Sequence, residues 1–318
     1  MRVFVALATL FAGACCTSLP KIPQKEIPLP SLAPEYTDVV ETREVWRDEK
    51  RNRDVPVKIY APRAPRASLS GAPGSQPGRG LPVVVFSHGI GEDRDSYAWL
   101  GRALAQHGYL TVHITHAGTD RAVLERGYLH LYRAVKQPEN WVNRPLDVSF
   151  VLDRLSARAD ADVQRTAAAG HSAGAFTAFM LAGMTAGDGK RQRDERVKVA
   201  IPISMPRMEG VVPPGGYDTV EVPVLNVTGT CDTSLIYRTF PKHRRIPFEE
   251  SHAGRQYLVT LEGATHDSFV VEDRYAAAIR YLVIAYLHAF LRGDALGRRW
   301  FDEAGRTQIG GVRISVER

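Results

Sequence analysis

Three cysteines, at positions 15, 16 and 231, are all that 318 residues contain. Two of them sit in a leader-like N-terminus, which leaves Cys231 alone, or with Cys16 if Cys15 alone is modified. No structural disulfide is therefore expected, and stability has to come from a packed core. Blocks of like charge are absent, as is any alternation of aromatic and basic residues. The net charge of +6 reflects arginines spread along the chain. That is a solvated basic surface rather than a nucleic-acid footprint, so no nucleic-acid partner is expected. No GxGxxG occurs, and no His, Cys, Asp and Glu cluster has metal-ligand spacing; neither cofactor nor metal is expected. What is present is an ordinary globular hydrophobic content of 44%, enough for one large α/β domain or two small ones.

Residues 1–16 carry Arg2, an apolar run from Val3 to Ala12 and then small residues. This has the shape of a signal peptide and is too short to span a bilayer as a mature helix. Ala12-Gly13-Ala14-Cys15 is similar to the lipobox of bacterial lipoproteins, so lipidation of Cys15 and ordinary signal cleavage nearby are both open. Either way export is expected: periplasmic and membrane-anchored, or secreted. Residues 17–36 are Pro-rich and aperiodic and read as an extended tether. Residues 37–318 read as a single domain, with a long mobile loop at 62–80 that is dense in Pro, Gly, Ser and Ala.

Within that domain, Val39–Trp46 and Val55–Tyr60 flank a charged turn and predict an antiparallel hairpin. Leu81–Phe86 is a continuous β-branched run suited to a buried parallel strand. Helical and strand patterns then alternate: helix 96–106, strand 109–115, helix 145–155, strand 166–169, helix 175–186, strands 197–204, 222–228 and 256–261, and helix 274–291. Such alternation predicts an α/β fold with a mostly parallel twisted sheet covered by helices on both faces. Its ligand site should lie beyond the carboxyl ends of the strands. Val312–Val316 is a candidate edge strand.

The chemistry is expected at three such strand ends. Gly170-His171-Ser172-Ala173-Gly174 joins an apolar strand to a helix and has the pattern of a nucleophile elbow, with Ser172 at its apex. A serine attacks poorly unless an imidazole takes its proton and a carboxylate holds the imidazole in the right tautomer. Asp232 follows the strand 222–228 closely, and His266 follows the strand 256–261. For the oxyanion of a tetrahedral intermediate the expected donors are the N–H of Ala173 and that of Ile90, with Gly89 as the nearby alternative.

In these residues the sequence resembles the α/β-hydrolases, and among them serine esterases related to dienelactone hydrolase and platelet-activating-factor acetylhydrolase. The likeness runs through Phe86-Ser87-His88-Gly89-Ile90-Gly91 with Ser96-Tyr97, the stretch Arg144–Asp153, the elbow, and the Asp232 and His266 segments. It implies the α/β-hydrolase fold, with Ser172 as nucleophile, His266 as base, Asp232 as acid, and Ile90 and Ala173 as oxyanion donors. It also implies that Arg144 and Asp147 buttress the site.

The expected activity is serine-dependent hydrolysis of a small-molecule or lipid-like carboxylic ester. A peptidase, amidase or thioesterase on the same triad is the alternative, and an exported non-catalytic binding protein a third reading. Insertions at 117–143, 205–221 and 234–254, with Tyr128, Tyr132, Trp141, Tyr237, Phe240 and Phe248, are candidates for the pocket walls. His88 and His171 are expected to pack and hydrogen-bond; His243 and His252 lack a strand lead-in and are weaker bases.

Overall fold

The computed structural model describes residues 16–65, 80–187 and 189–318. The leader residues 1–15, including the lipobox-like Cys15, and most of the loop expected at 62–80 lie outside the described residues. Among the described residues twelve strands are formed: β1 (Tyr36–Asp48), β2 (Arg53–Pro65), β3 (Leu81–Ser87), β4 (Leu110–Ile114), β5 (Ala161–His171), β6 (Thr185–Ala186), β7 (Lys190–Arg191), β8 (Val197–Ile203), β9 (Val224–Cys231), β10 (Gln256–Thr265), β11 (Gly305–Ile309) and β12 (Val312–Glu317). Ten of them make one sheet in the order β1-β2-β4-β3-β5-β8-β9-β10-β12-β11. The six central strands, β4 to β10 in that order, are parallel to one another. The β1–β2 hairpin flanks them on one side, antiparallel, and β12–β11 on the other. This is the α/β-hydrolase fold that the sequence implies.

Successive side chains of a strand point to opposite faces, and the apolar runs supply both. In β3, Val84 and Phe86 face one core with the helices Ala98–Gln106, Ala276–Leu287 and Ala295–Asp302. Val83 and Val85 face the other, against helix Pro138–Leu155. Each such fully buried Val, Leu or Phe contributes about 1.5–3 kcal/mol. Several boundaries differ from the sequence expectation. The helix expected at 175–186 runs only over Ala173–Leu181, because Gly183 turns the chain at φ 104° into β6. The insertion 117–143 holds short helices at Arg121–Glu125 and Tyr128–Val135 and the start of the Pro138–Leu155 helix. The tail adds a hairpin rather than one strand: β12 pairs with β10, and β11 is the edge.

Two expectations about the N-terminus are corrected. The Pro-rich stretch is extended but does not stand free: Lys25 Nζ donates to the Trp300 carbonyl at 2.6 Å, Tyr281 hydroxyl to the Pro30 carbonyl at 2.7 Å, and Ile27 and Leu32 pack on the core. A strap laid along the domain brings its first residue back to the sheet. There Thr17 N–H bonds the Thr230 carbonyl at 2.8 Å and Cys16 is disulfide-bonded to Cys231. The sequence argument against a disulfide assigned Cys16 to the leader. The strap instead seats it beside the end of β9, so Cys231 is no lone thiol. Among the described residues no helix is long and apolar enough to cross a membrane.

Candidate active site

Four neighbouring parallel strands, β5, β8, β9 and β10, end one residue before Ser172, Ser204, Asp232 and His266 respectively. Parallel pairing aligns these ends, so residues far apart in sequence emerge along one edge of the sheet.

Ser172 sits at φ 53° and ψ −116°, and left-handed backbone at a non-glycine residue costs about 1–3 kcal/mol. Such a turn persists only because its surroundings fix it. A Cβ on Gly170 would lie 2.4 Å from the Gly174 carbonyl oxygen, and one on Gly174 only 1.8 Å from that of Ser87. Both elbow glycines are therefore required by close approach of strand and helix, as expected for this motif.

Ser172 Oγ lies 3.2 Å from His266 Nε2, and His266 Nδ1 lies 3.0 Å from Asp232 Oδ1. Asp232 and Ser172 are buried, whereas the His266 side chain keeps 19% exposure. The structure thus brings together the three residues singled out from the sequence. Burial alone would push the Asp232 carboxyl up, but the Arg244 guanidinium, His266 and Ser204 outweigh it and hold it far below the usual carboxylate range. A carboxylate ionised in this way accepts Nδ1–H and leaves Nε2 free to take the Ser172 proton. His171 stacks on His266 with ring centroids 4.6 Å apart; burial, then the neighbouring His266, push its pKa well down, so it packs as a neutral ring.

The two expected oxyanion donors lie at the elbow and on the loop after β3. Ala173 is the first residue of the elbow helix, where an N–H has no intrahelical acceptor. On the loop, Gly89 N–H donates to Glu92 Oε2 at 2.9 Å and Gly91 N–H to the Thr119 carbonyl at 2.8 Å. Of the three N–H groups of Gly89, Ile90 and Gly91, that of Ile90 has no protein acceptor among the described residues.

Arg144, fully buried, ties the two donor segments together. It donates through Nη2 to the His88 carbonyl, through Nη1 to Thr119 Oγ1 at 2.7 Å and through Nε at 3.0 Å to Thr177 Oγ1 on the elbow helix. Behind the loop lies a second line of Ser, His and Asp: Ser87 Oγ is 3.0 Å from His116 Nε2, and His116 Nδ1 3.0 Å from Asp147 Oδ2. All three are at most 2% exposed, and they tie the ends of β3 and β4 to the Pro138–Leu155 helix. Burial first, and Arg144 next, push His116 down to about 4, so its neutral Nε2 accepts from Ser87. Arg51 and Arg53 also hold Asp147, each at 2.8 Å. His88 accepts the His116 N–H at Nε2 (3.0 Å), which places its own proton on Nδ1, toward the Gly89 carbonyl at 2.5 Å.

Beside the elbow helix is a cavity of about 570 Å³ lined by Trp141, Val142, Phe176, Met180, Met208 and Tyr237, among others. Phe176 lies on the first turn of that helix, its N–H on the Ser172 carbonyl. Of the aromatic residues proposed for the pocket, Trp141 and Tyr237 line this cavity, whereas Tyr128 and Tyr132 are exposed. His252 is exposed and bonds Asp218, and His243 caps its own turn by accepting the Phe240 N–H.

Sequence reasoning missed Ser204 and Arg244. Ser204, at φ 57°, donates through Oγ to Asp232 Oδ1 at 2.8 Å. Its position at the end of the strand between Ser172 and Asp232 was the available signal. Arg244 gave none: it lies in the run Lys242-His243-Arg244-Arg245, which reads as a solvated charge cluster.

A family model described as Chlorophyllase matches residues 42–199. The matched stretch contains Ile90, Ser172 and Ala173 and ends before Asp232 and His266. It makes the chain similar to a family of α/β-hydrolase-type esterases and supports an ester hydrolase of that type. No curated protein matches the chain.

Proposed function

We propose that this protein is a serine-dependent carboxylic ester hydrolase that works through an acyl-enzyme on Ser172. The observation that carries the reading is the hydrogen-bonded line from Ser172 Oγ through His266 to Asp232, with the serine held at positive φ in a glycine-flanked elbow. His266 Nε2 takes the Ser172 proton as Oγ attacks the ester carbonyl, and Asp232 stabilises the imidazolium. The N–H groups of Ala173 and Ile90 face the oxyanion. His266 then protonates the departing alcohol. Water, deprotonated by the same nitrogen, releases the acid and restores Ser172.

The largely apolar cavity beside the elbow helix supports esters that carry a bulky apolar group. We also infer export, with lipidation at Cys15 or cleavage close by. The Cys16–Cys231 disulfide supports it, since such bonds persist in oxidising compartments.

The test is turnover of p-nitrophenyl esters from acetate to long-chain acyl groups by the wild-type protein and Ser172→Ala. The expected result is loss of about 10⁴-fold or more in the variant. Matching anilides and thioesters in the same panel separate amidase and thioesterase action. Folded protein that turns over none of them would point to a binding role instead.

A further inference from the structure

The carboxylate of Asp232 is held more heavily than orienting one imidazole requires. Its Oδ1 accepts from Ser204 Oγ at 2.8 Å, Arg244 Nη2 at 2.9 Å and His266 Nδ1 at 3.0 Å, and its Oδ2 from Thr228 Oγ1 at 2.9 Å. Arg244 is itself fixed: Nη1 donates to the carbonyls of Ser204 and Met205 at 2.8 and 2.7 Å, and Nε to that of Asp232 at 3.3 Å. Both side chains of the ion pair are 0% exposed. Salt and water therefore screen it little. The same Nη2 lies 3.1 Å from His266 Nδ1. Both atoms are donors when Nδ1–H points to Asp232, so the contact is not a hydrogen bond. It is a cation set against the place where the imidazolium charge develops.

We propose that Arg244 is a positioning residue which, acting through Asp232, sets the lowest pH at which the Ser172–His266 pair works. The proposal rests on the esterase reading. An unopposed buried carboxylate beside an imidazole favours the protonated ring before substrate arrives as well as during reaction, and a protonated ring is no base. The guanidinium offsets that pull while holding the carboxylate in line. The other charged or titratable groups around His266 are His171 stacked on it, Glu92 beside His171 at 3.9 Å, Asp267 next in the chain, and Tyr237 near Arg244. Of these, His171 and Tyr237 also feel the Arg244 cation, whereas Glu92 is removed in the test below.

The experiment is the pH profile of kcat/KM on a p-nitrophenyl ester for wild type, Arg244→Gln and Arg244→Lys, with Ser172→Ala alongside. All are made in a Glu92→Gln background, so that this neighbouring carboxyl drops out of the profile. Arg244→Gln is expected to move the midpoint of the acid limb up by about one pH unit and to lower the plateau. Arg244→Lys keeps the charge but loses the fork, and should lower the plateau with the midpoint in place. A merely structural role would lower both plateaus and move neither midpoint. An unmoved midpoint in folded Arg244→Gln, with Ser172→Ala inactive, overturns the proposal and leaves the esterase reading intact. Turnover unaffected by Ser172→Ala overturns both. Should Arg244→Gln fail to fold, Arg244→Lys carries the test: a midpoint that rises with the cation still present overturns the proposal.

Discussion

Gly174 passes so close beneath Ser87 that a Cβ on it would stand 1.8 Å from the Ser87 carbonyl oxygen. The contact is backbone against backbone, so no side chain can move aside to relieve it. Gly174→Ala has to push the elbow helix away from β3 and so separate the two oxyanion segments. A loss of about 2 kcal/mol or more is expected, seen as a drop in Tm of about 4 °C or more, together with esterase activity reduced beyond what the unfolded fraction explains. An alanine variant with wild-type Tm and activity would show that strand and helix are not in this contact.

Glu92 accepts the Gly89 N–H next to the loop donor Ile90, and its side chain is 16% exposed. Burial pushes its carboxyl up to about 7, against the Gly89 N–H and the Arg144 cation. Between pH 4.5 and 7 the folded chain therefore binds more protons at this site than the unfolded chain, and stability falls as pH rises. Glutamine has no charge to bury. The Tm of Glu92→Gln should exceed that of wild type at pH 8 and come close to it at pH 4.5; a difference independent of pH would contradict the assignment.

His107, His113 and His116 have the opposite sign. Burial in each case, with Arg292 next for His107 and Arg144 next for His116, pushes them down to about 4, whereas an unfolded histidine titrates near 6.5. Across that window the unfolded chain binds more protons, so stability is lost as pH falls from about 6.5 to 4. Calorimetry near pH 5.5 should show proton uptake on unfolding by these residues, and a larger net uptake in Glu92→Gln, where the opposing carboxyl is gone. Proton release in that variant would be inconsistent with neutral buried imidazoles.

The Cys16–Cys231 bond closes a span of 215 residues and fixes the strap next to Asp232. Cys231→Ser is expected to destabilise the protein by about 2–4 kcal/mol and to expose residues 17–35 to proteolysis. Equal Tm and equal cleavage with and without reductant would remove the bond from the account.

Where neighbouring residues carried the information, the sequence was legible. The elbow is a strand, a glycine-flanked serine and a helix in one short stretch, and Asp232 and His266 each follow an apolar run. The parallel sheet followed from alternation and put those ends together. What escaped depends on distant packing. Arg244 looks like one of four charged residues in a solvated turn, and only the fold reveals that it turns inward while Arg245 pairs with Glu317. The line Ser87–His116–Asp147 joins two strand ends to a helix without any sequence spacing to mark it. Cys16 was counted with the leader, and the docking of the aperiodic Pro-rich segment on Trp300 and Glu303, which returns Cys16 to the sheet, follows from surface fit rather than pattern.

The central claim is that Ser172 becomes acylated. The most direct measurement is intact-mass analysis and peptide mapping after reaction with a fluorophosphonate, which traps a serine nucleophile activated by a base. A single adduct on the peptide containing Ser172, formed in parallel with loss of ester turnover and absent from Ser172→Ala, is the predicted result. Full inactivation with the adduct on another residue, or undiminished turnover in Ser172→Ala, would contradict it.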